Sequence, residues 1–397
     1  MTYTLGTHYH KSYVFKESLT TEEYFSLSAD DDVVGIWEIP QVIYQIPKLT
    51  ETTMNVNLYG DMSDAMQETK TQALIDEGYA GANTIIVIID DFPDAETFFD
   101  YLPYAWYERI LHYPTDYHSG SGMHGIMTAG IAGYVSPESK LYLIEMNDPL
   151  SAFEEVLTIK ETYSNYDIVC SNSYVFDASA YYYPEHPVNR KIRETANEDI
   201  IVVFGAGNWG KEGEHNPSWT LDGGYDARRD MFPIGSEIGY PAVFDEIISV
   251  AGCNAYCDKI LSYSSLGRGV DDHDEPDVSA PTHHYFPYSP YDALTLGTSA
   301  STPFMAGICA NILSGRDVDT QRMIGAIRAY SKDAGETGYD KEFGFGIVDA
   351  TAIFENYYVW IPPVEQSMDL YLYVISIGML GIGIVFNKKE ELLNIIG

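Results

Sequence analysis

Residues 84–90 read TIIVIID, an apolar run closed by a carboxylate. Apolar side chains on successive residues, not alternate ones, suit a strand covered on both faces, and such strands belong to parallel sheets. Four comparable runs follow: KLYLI at 140–144, IVC at 168–170, IIVVF at 200–204 and EIISV at 246–250. Helical patterns over 63–77, 124–132, 152–164 and 188–197 lie among them. Strands alternating with helices predict an α/β domain, one parallel sheet with helices on both faces.

Composition is consistent with that reading and excludes others. The chain has 397 residues, 45% of them hydrophobic, with 33 Gly against 19 Pro, which rules out a disordered or collagen-like chain. Asp plus Glu number 59 against 22 Lys plus Arg, a formal charge of -37. That charge repels a phosphate backbone, so no nucleic-acid partner is expected, and the excess reads as a solvated acidic surface. Four cysteines are too few for a disulfide scaffold. Cys253 and Cys257 offer half of a zinc site or one local bridge, so no metal centre is expected.

The two ends differ in character. Residues 1–19, MTYTLGTHYHKSYVFKESL, hold no apolar core of a secretory signal. Residues 370–386, LYLYVISIGMLGIGIVF, carry no charge and are followed by Lys388 and Lys389. As a helix they would extend about 25 Å, at the short end of a bilayer span. Tyr371 and Tyr373 fit an interfacial belt, and the lysine pair argues for a cytoplasmic tail. The expectation is a linker at 359–369, a transmembrane helix at 370–387 and a tail at 388–397. The protein would then be single-pass in the cell membrane with its main body outside.

Four polar residues stand where the predicted fold would expose chemistry. Asp90 ends its strand at the carboxyl edge of the sheet, where open α/β sheets bind ligands. His124 begins a helix rich in small residues, GSGMHGIMTAGIAG at 120–133. Ser299 begins another, LGTSASTPFMAGICANILSG at 296–315, with Pro303 read as lying in the first turn, where a missing N–H costs nothing. Asn208 follows the 200–204 strand in GAGNWG. A serine hydroxyl needs an imidazole to take its proton, a carboxylate to fix that imidazole, and a donor for the oxyanion that forms. These four residues supply all of them. GAGNWG also spells GxGxxG, but the following KEGEHNPSWTLDGG at 211–224 reads as a loop, where dinucleotide binding requires a helix.

In this order and context the residues resemble the subtilisin-like serine proteases, over roughly residues 65–355. ALIDEGYAGANTIIVIID at 73–90 resembles the approach to that family's aspartate, MHGIMTAGIAG at 123–133 its histidine box and IIVVFGAGNWG at 200–210 its oxyanion box. GTSASTPFMAG at 297–307 resembles its serine box and FGFGIVDATAIFENY at 343–357 its closing strand and helix. The resemblance implies a seven-stranded parallel core and endopeptidase activity on peptide or protein substrates. It also implies Ser299 as nucleophile, His124 as general base then acid, Asp90 as its orienting carboxylate and Asn208 as oxyanion donor. Sedolisins share the Gly-Thr-Ser-Ala-Ser box, but their base is a glutamate and their oxyanion residue an aspartate.

Departures from the pattern qualify what carries over. Asp91 and Phe92 replace the family's Ser or Thr then Gly, which makes Asp91 a secondary candidate for the carboxylate role. SNSYVFD at 171–177 stands at the substrate-pairing edge, so Ser173, Tyr174 and Gly205 are the candidate substrate contacts. The loop YVSPES at 134–139 is too short for the family's calcium loop, so calcium dependence is not carried over; no cofactor is expected to be required, and calcium binding stays open without a recognisable loop. Residues 211–240 form an insertion, and 17–46 resemble the end of an inhibitory propeptide. The expected domains are thus a propeptide-like segment at 1–55 and a peptidase domain at 56–358. The whole reads as a membrane-anchored serine endopeptidase. Its rival is an inactive module of the same fold used for surface binding or assembly.

Overall fold

The computed structural model describes residues 2–7, 15–18, 33–38, 40, 42–43, 60–115, 122–176, 178–210, 238–290, 294–357, 373–376 and 383–386. Seven strands form one sheet: β1 Thr84–Asp90, β2 Ile110–His112, β3 Lys140–Glu145, β4 Asp167–Asn172, β5 Ile200–Gly205, β6 Ile248–Cys253 and β7 Val278–Pro281. All neighbours are parallel, in the order β7-β6-β5-β4-β1-β3-β2. The expected α/β fold is therefore present. β2 and β7 had no counterpart among the expected strands, because runs as short as ILH and VSAP carry no periodicity.

Why β1 is apolar throughout is explained by its two covers. Ile86 and Ile88 enter one buried layer, shared with helices α1 (Met123–Val135) and α4 (Thr298–Leu313). Ile85, Val87 and Ile89 enter the opposite layer, against α2 (Pro149–Thr162) and α3 (Pro187–Ala196). At about 1.5–3 kcal/mol per buried aliphatic side chain, these runs dominate the packing energy of the sheet. Every one of the 16 residues of α4 is buried. Such a central helix needs small residues where it meets neighbours. A Cβ at Gly307 would stand 2.6 Å from Val135 of α1.

The helix expected at 63–77 is two, Met62–Glu68 and Thr71–Asp76, because Lys70 takes a left-handed φ of 58° between them. Pro303 also needs correction: it is inside α4, past the first turn. Its missing N–H deprives the carbonyl four residues earlier, that of Ser299, of a helical partner, and the Ser173 hydroxyl donates to that oxygen at 3.0 Å. The break in the ladder is thus filled by a side chain from the end of β4.

At the amino edge of β7 lies a buried charge cluster. Arg328, on a fifth long helix α5 (Thr320–Tyr330), donates to Asp277 and to Glu275. Glu275 is fully buried, and its Oε2 has no hydrogen-bond partner. Burial pushes its carboxyl well above the usual carboxylate range, with Asp277 adding and Arg328 opposing. Glu275 therefore binds a proton more tightly folded than unfolded. Its stabilising contribution is complete below the unfolded value of about 4.3 and fades as pH rises through the folded value. Glu275→Gln has no such proton to lose. Urea midpoints measured against pH are expected to show wild type losing stability relative to Glu275→Gln as pH rises above about 4.3; parallel curves would contradict the assignment.

Near the N-terminus, Thr2–Thr7 pairs antiparallel with Phe15–Ser18 and with Val33–Glu38. Val42–Ile43 pairs antiparallel with Val175–Phe176, just beyond the end of β4. Residues 1, 8–14, 19–32, 39, 41 and 44–55 of the propeptide-like segment, 56–59 of the peptidase domain and 211–237 of the insertion lie outside the described residues.

The unit formed by residues 361–397 corrects an expectation. Its described residues are strands, Tyr373–Ser376 paired antiparallel with Gly383–Phe386, and not parts of one helix over 370–387. β-Branched Val374, Ile375, Ile384 and Val385 favour strand, and each glycine in a helix costs about 1 kcal/mol relative to alanine. Among the described residues no helix is long and apolar enough to cross a membrane.

Candidate active site

Three adjacent strands end level with one another. Ile89 is in register with Asn172, and Asn172 with Phe204, so Asp90, Ser173 and Gly205 share the carboxyl rim of β1, β4 and β5. The chain reverses its direction of sheet growth at β1, adding β3 on one side and β4 on the other. The rim beside such a reversal is where open sheets hold ligands.

Asp90 has no exposed surface, and three donors meet its two oxygens. Oδ1 accepts from His124 Nδ1 at 2.7 Å and from the Asp91 N–H at 2.8 Å; Oδ2 accepts from the Thr128 hydroxyl at 2.9 Å. A carboxylate facing Nδ1 places the imidazole proton there and makes Nε2 the basic nitrogen. His124 is the second residue of α1, entered through Gly122 at φ 45°. A Cβ at Gly122 would sit 1.9 Å from the Pro93 nitrogen, so no side chain fits. The Gly125 N–H donates to the Asp91 carbonyl at 3.0 Å, seating the first turn of α1 on the end of β1. The Asp91 carboxylate accepts from the Gly122 N–H at 3.2 Å. Of the two candidate acids, Asp90 is the one that meets His124.

Ser299 is the second residue of α4 and is almost buried. Its hydroxyl donates to the Ser173 carbonyl at 3.2 Å, reciprocating the bond already noted. Asn208 Oδ1 accepts from the Thr298 N–H at 2.9 Å and from the Thr298 hydroxyl at 3.2 Å. That orients the amide, with its carbonyl on the helix start. Ser173, Tyr174, Gly205, Asn208 and Ser299 line one cleft together with Val175, Gly207 and Thr298. His124 is not a lining residue of that cleft. Gly205 keeps strand and helix close, because a Cβ there would meet Thr302 Oγ1 at 2.9 Å and Thr298 Oγ1 at 3.0 Å.

A model described as the Subtilase family matches residues 54–346, more than half of the chain. The chain belongs to the subtilase family. Subtilisin DY of Bacillus licheniformis is 27% identical over 253 residues, covering 60% of this chain and 79% of that protein. The minor extracellular protease Epr of Bacillus subtilis (strain 168) is 22% identical over 293 residues, 69% of this chain and 39% of Epr. Subtilisin amylosacchariticus of Bacillus subtilis subsp. amylosacchariticus is 26% identical over 265 residues, 63% of this chain and 60% of that protein. This subtilase thus shares a serine-peptidase family with proteins to which its identity is low.

Tyr174 lines the cleft as a residue, yet its ring packs against Phe176 and Phe204 at 5.7 and 5.6 Å, and its hydroxyl donates to Asn172 Oδ1 at 2.9 Å. Burial in this aromatic cluster drives its hydroxyl pKa well up. GAGNWG is a turn, with Gly207 at φ 97° and the Gly210 N–H bonded to Tyr263, and not a helix start that could hold a pyrophosphate. In the short loop after α1, the Arg109 guanidinium donates to the carbonyls of Gly133, Ser136 and Ser139. Those oxygens already face a cation. Among the described residues no group of three or more His, Cys, Asp or Glu could hold a metal ion. Cys253 and Cys257 are free thiols with sulfurs 3.8 Å apart, so the bridge allowed by their spacing is not formed.

Sequence reasoning overlooked two contacts. Thr128 lies four residues after His124, a spacing that puts both on one helix face, and this signal was available. The pairing of Val42–Ile43 with Val175–Phe176 joins segments more than 130 residues apart and leaves no local trace.

Proposed function

We propose that this subtilase is a serine endopeptidase that opens peptide bonds through an acyl-enzyme. Ser299 attacks the scissile carbonyl while His124 Nε2 takes its proton and then returns it to the leaving amine. Asp90 holds the imidazole tautomer and stabilises its cation, and the Asn208 amide with the Ser299 backbone N–H binds the oxyanion. The observation that carries this reading is the buried 2.7 Å contact between His124 Nδ1 and Asp90, made at the rim where Ser299 and Asn208 meet in one cleft. Hydrolysis of an unfolded protein substrate by wild type and none by Ser299→Ala is the expected result. A folded wild type without hydrolysis would overturn the reading.

The N-terminal strand supports a regulatory role for the first residues. An extended substrate binds a strand edge by backbone hydrogen bonds, and Val42–Ile43 already takes such bonds beside Ser173. Residues 1–55 act in this proposal as an inhibitory segment that the enzyme removes. N-terminal sequencing is expected to find the wild-type chain cut between roughly residues 46 and 60 and Ser299→Ala uncut. Cutting in both would assign the processing to another protease.

The uncharged stretch at 370–386, with Lys388 and Lys389 after it, supports attachment to the cell membrane with the peptidase domain outside, by apolar burial and not through one spanning helix. Full-length protein is expected in the membrane fraction, and a version lacking these residues in the detergent-free supernatant. Equal partition would remove the membrane from the account.

A further inference from the structure

We propose that Thr128 is a positioning residue for the proton relay, a second grip on Asp90 that fixes which carboxylate oxygen His124 meets; this rests on the reading of Asp90 and His124 given above. The Asp90 carboxylate is fully buried, so its charge must be met by fixed donors. Rotation about the carboxyl torsion of aspartate is soft, with a broad two-fold profile, so sterics alone do not choose between its oxygens. Hydrogen bonds do. Oδ1 receives His124 Nδ1 and the Asp91 N–H, and Oδ2 receives the Thr128 hydroxyl.

The imidazole and the hydroxyl arise four residues apart on α1, on the same face, so one rigid helix holds both oxygens of one carboxylate. That helix is itself seated on β1: a Cβ at Gly125 would come within 2.4 Å of the Asp91 carbonyl. The Thr128 hydroxyl also stands 3.2 Å from the Gly125 carbonyl, and it has one proton to give. The charged acceptor at 2.9 Å makes the stronger bond and takes it. No exposed surface remains at Thr128, so bulk water has no ready access to replace the hydroxyl. Its removal leaves Oδ2 a buried acceptor without this donor and frees the carboxylate to turn under the imidazole.

The test compares Thr128→Val, which swaps hydroxyl for methyl at nearly constant shape, with Thr128→Ser, which keeps the hydroxyl. Thr128→Val is expected to lower kcat about 10- to 100-fold, in line with the cost of misplacing a catalytic group, with KM within about twofold; Thr128→Ser is expected to stay within about threefold of wild type. The proton NMR resonance of His124 Nδ1–H is expected to shift or broaden in the valine variant and to be retained in the serine variant. A folded Thr128→Val with wild-type kcat and an unmoved resonance would overturn the proposal. If the valine variant does not fold, Thr128→Ala replaces it: alanine low with serine high supports the clamp, and alanine equal to serine refutes it. Wild type without peptidase activity would sink the underlying reading, and the resonance would still decide on Thr128, since it needs no turnover.

Discussion

Ser299→Ala is expected to lower kcat about 10⁶-fold with the protein still folded, a magnitude measured on a subtilisin and transferred here. Alanine removes only the hydroxyl. Ser299 Oγ makes one bond, to the Ser173 carbonyl, and the helix that carries it is held by 16 buried residues, so the fold has little at stake. What remains is the Asn208 amide, still oriented by Thr298, and the peptide binding proposed for the β4 edge. These stabilise the oxyanion of a slow attack by water and account for a residual rate above the uncatalysed one. Steady-state hydrolysis of a chromogenic peptide across a concentration series measures the effect. A drop of less than about 100-fold would mean that another residue is the nucleophile.

Asp90→Asn is expected to lower kcat about 10⁴-fold, the size found for the same change in an unrelated serine-protease fold. The reason can be counted at the site. Three donors, His124 Nδ1, the Asp91 N–H and the Thr128 hydroxyl, converge on two carboxylate oxygens. Asparagine has one oxygen and an NH2. If its oxygen stays with His124 and Asp91, the NH2 must donate to Thr128 Oγ1, whose own proton then has to move to the Gly125 carbonyl 3.2 Å away. If it turns to satisfy Thr128, the NH2 confronts the imidazole, which responds by moving its proton to Nε2, where it can no longer accept one from Ser299. Asp91→Asn is the control, because that carboxylate meets the Gly122 N–H and not the imidazole, and it is expected to lose less than about tenfold. A larger loss in Asp91→Asn than in Asp90→Asn would exchange their roles.

The features legible in the sequence are those decided locally. Within TIIVIID, residues 85–89 are apolar without a break because both faces are covered, and the carboxylate that closes the strand falls at the rim as a matter of chain direction. His124 and Ser299 could be placed at helix starts because Gly122 and Gly297 take positive φ angles just before them. Features set by distant partners were not legible. β2 and β7 are strands only because β3 and β6 offer them an edge. Pro303 can stand inside α4 because Ser173 satisfies the carbonyl it strands. Tyr174 could be read from its position only as a candidate substrate contact, whereas Phe176 and Phe204 draw its ring into the core. For residues 373–376 and 383–386, absence of charge suggested a helix, and β-branched pairs facing each other form an antiparallel strand pair instead.

At the centre of the account is a hydroxyl at residue 299 made nucleophilic by the imidazole at 124. Covalent labelling by a serine-directed organophosphorus reagent reads that property without knowledge of the natural substrate. Mass spectrometry of the labelled wild-type protein is expected to find one adduct, on Ser299, with Ser299→Ala unlabelled and His124→Ala labelled at least about 1,000-fold more slowly. Folded wild type that takes no label, or takes it on another serine, would contradict the account.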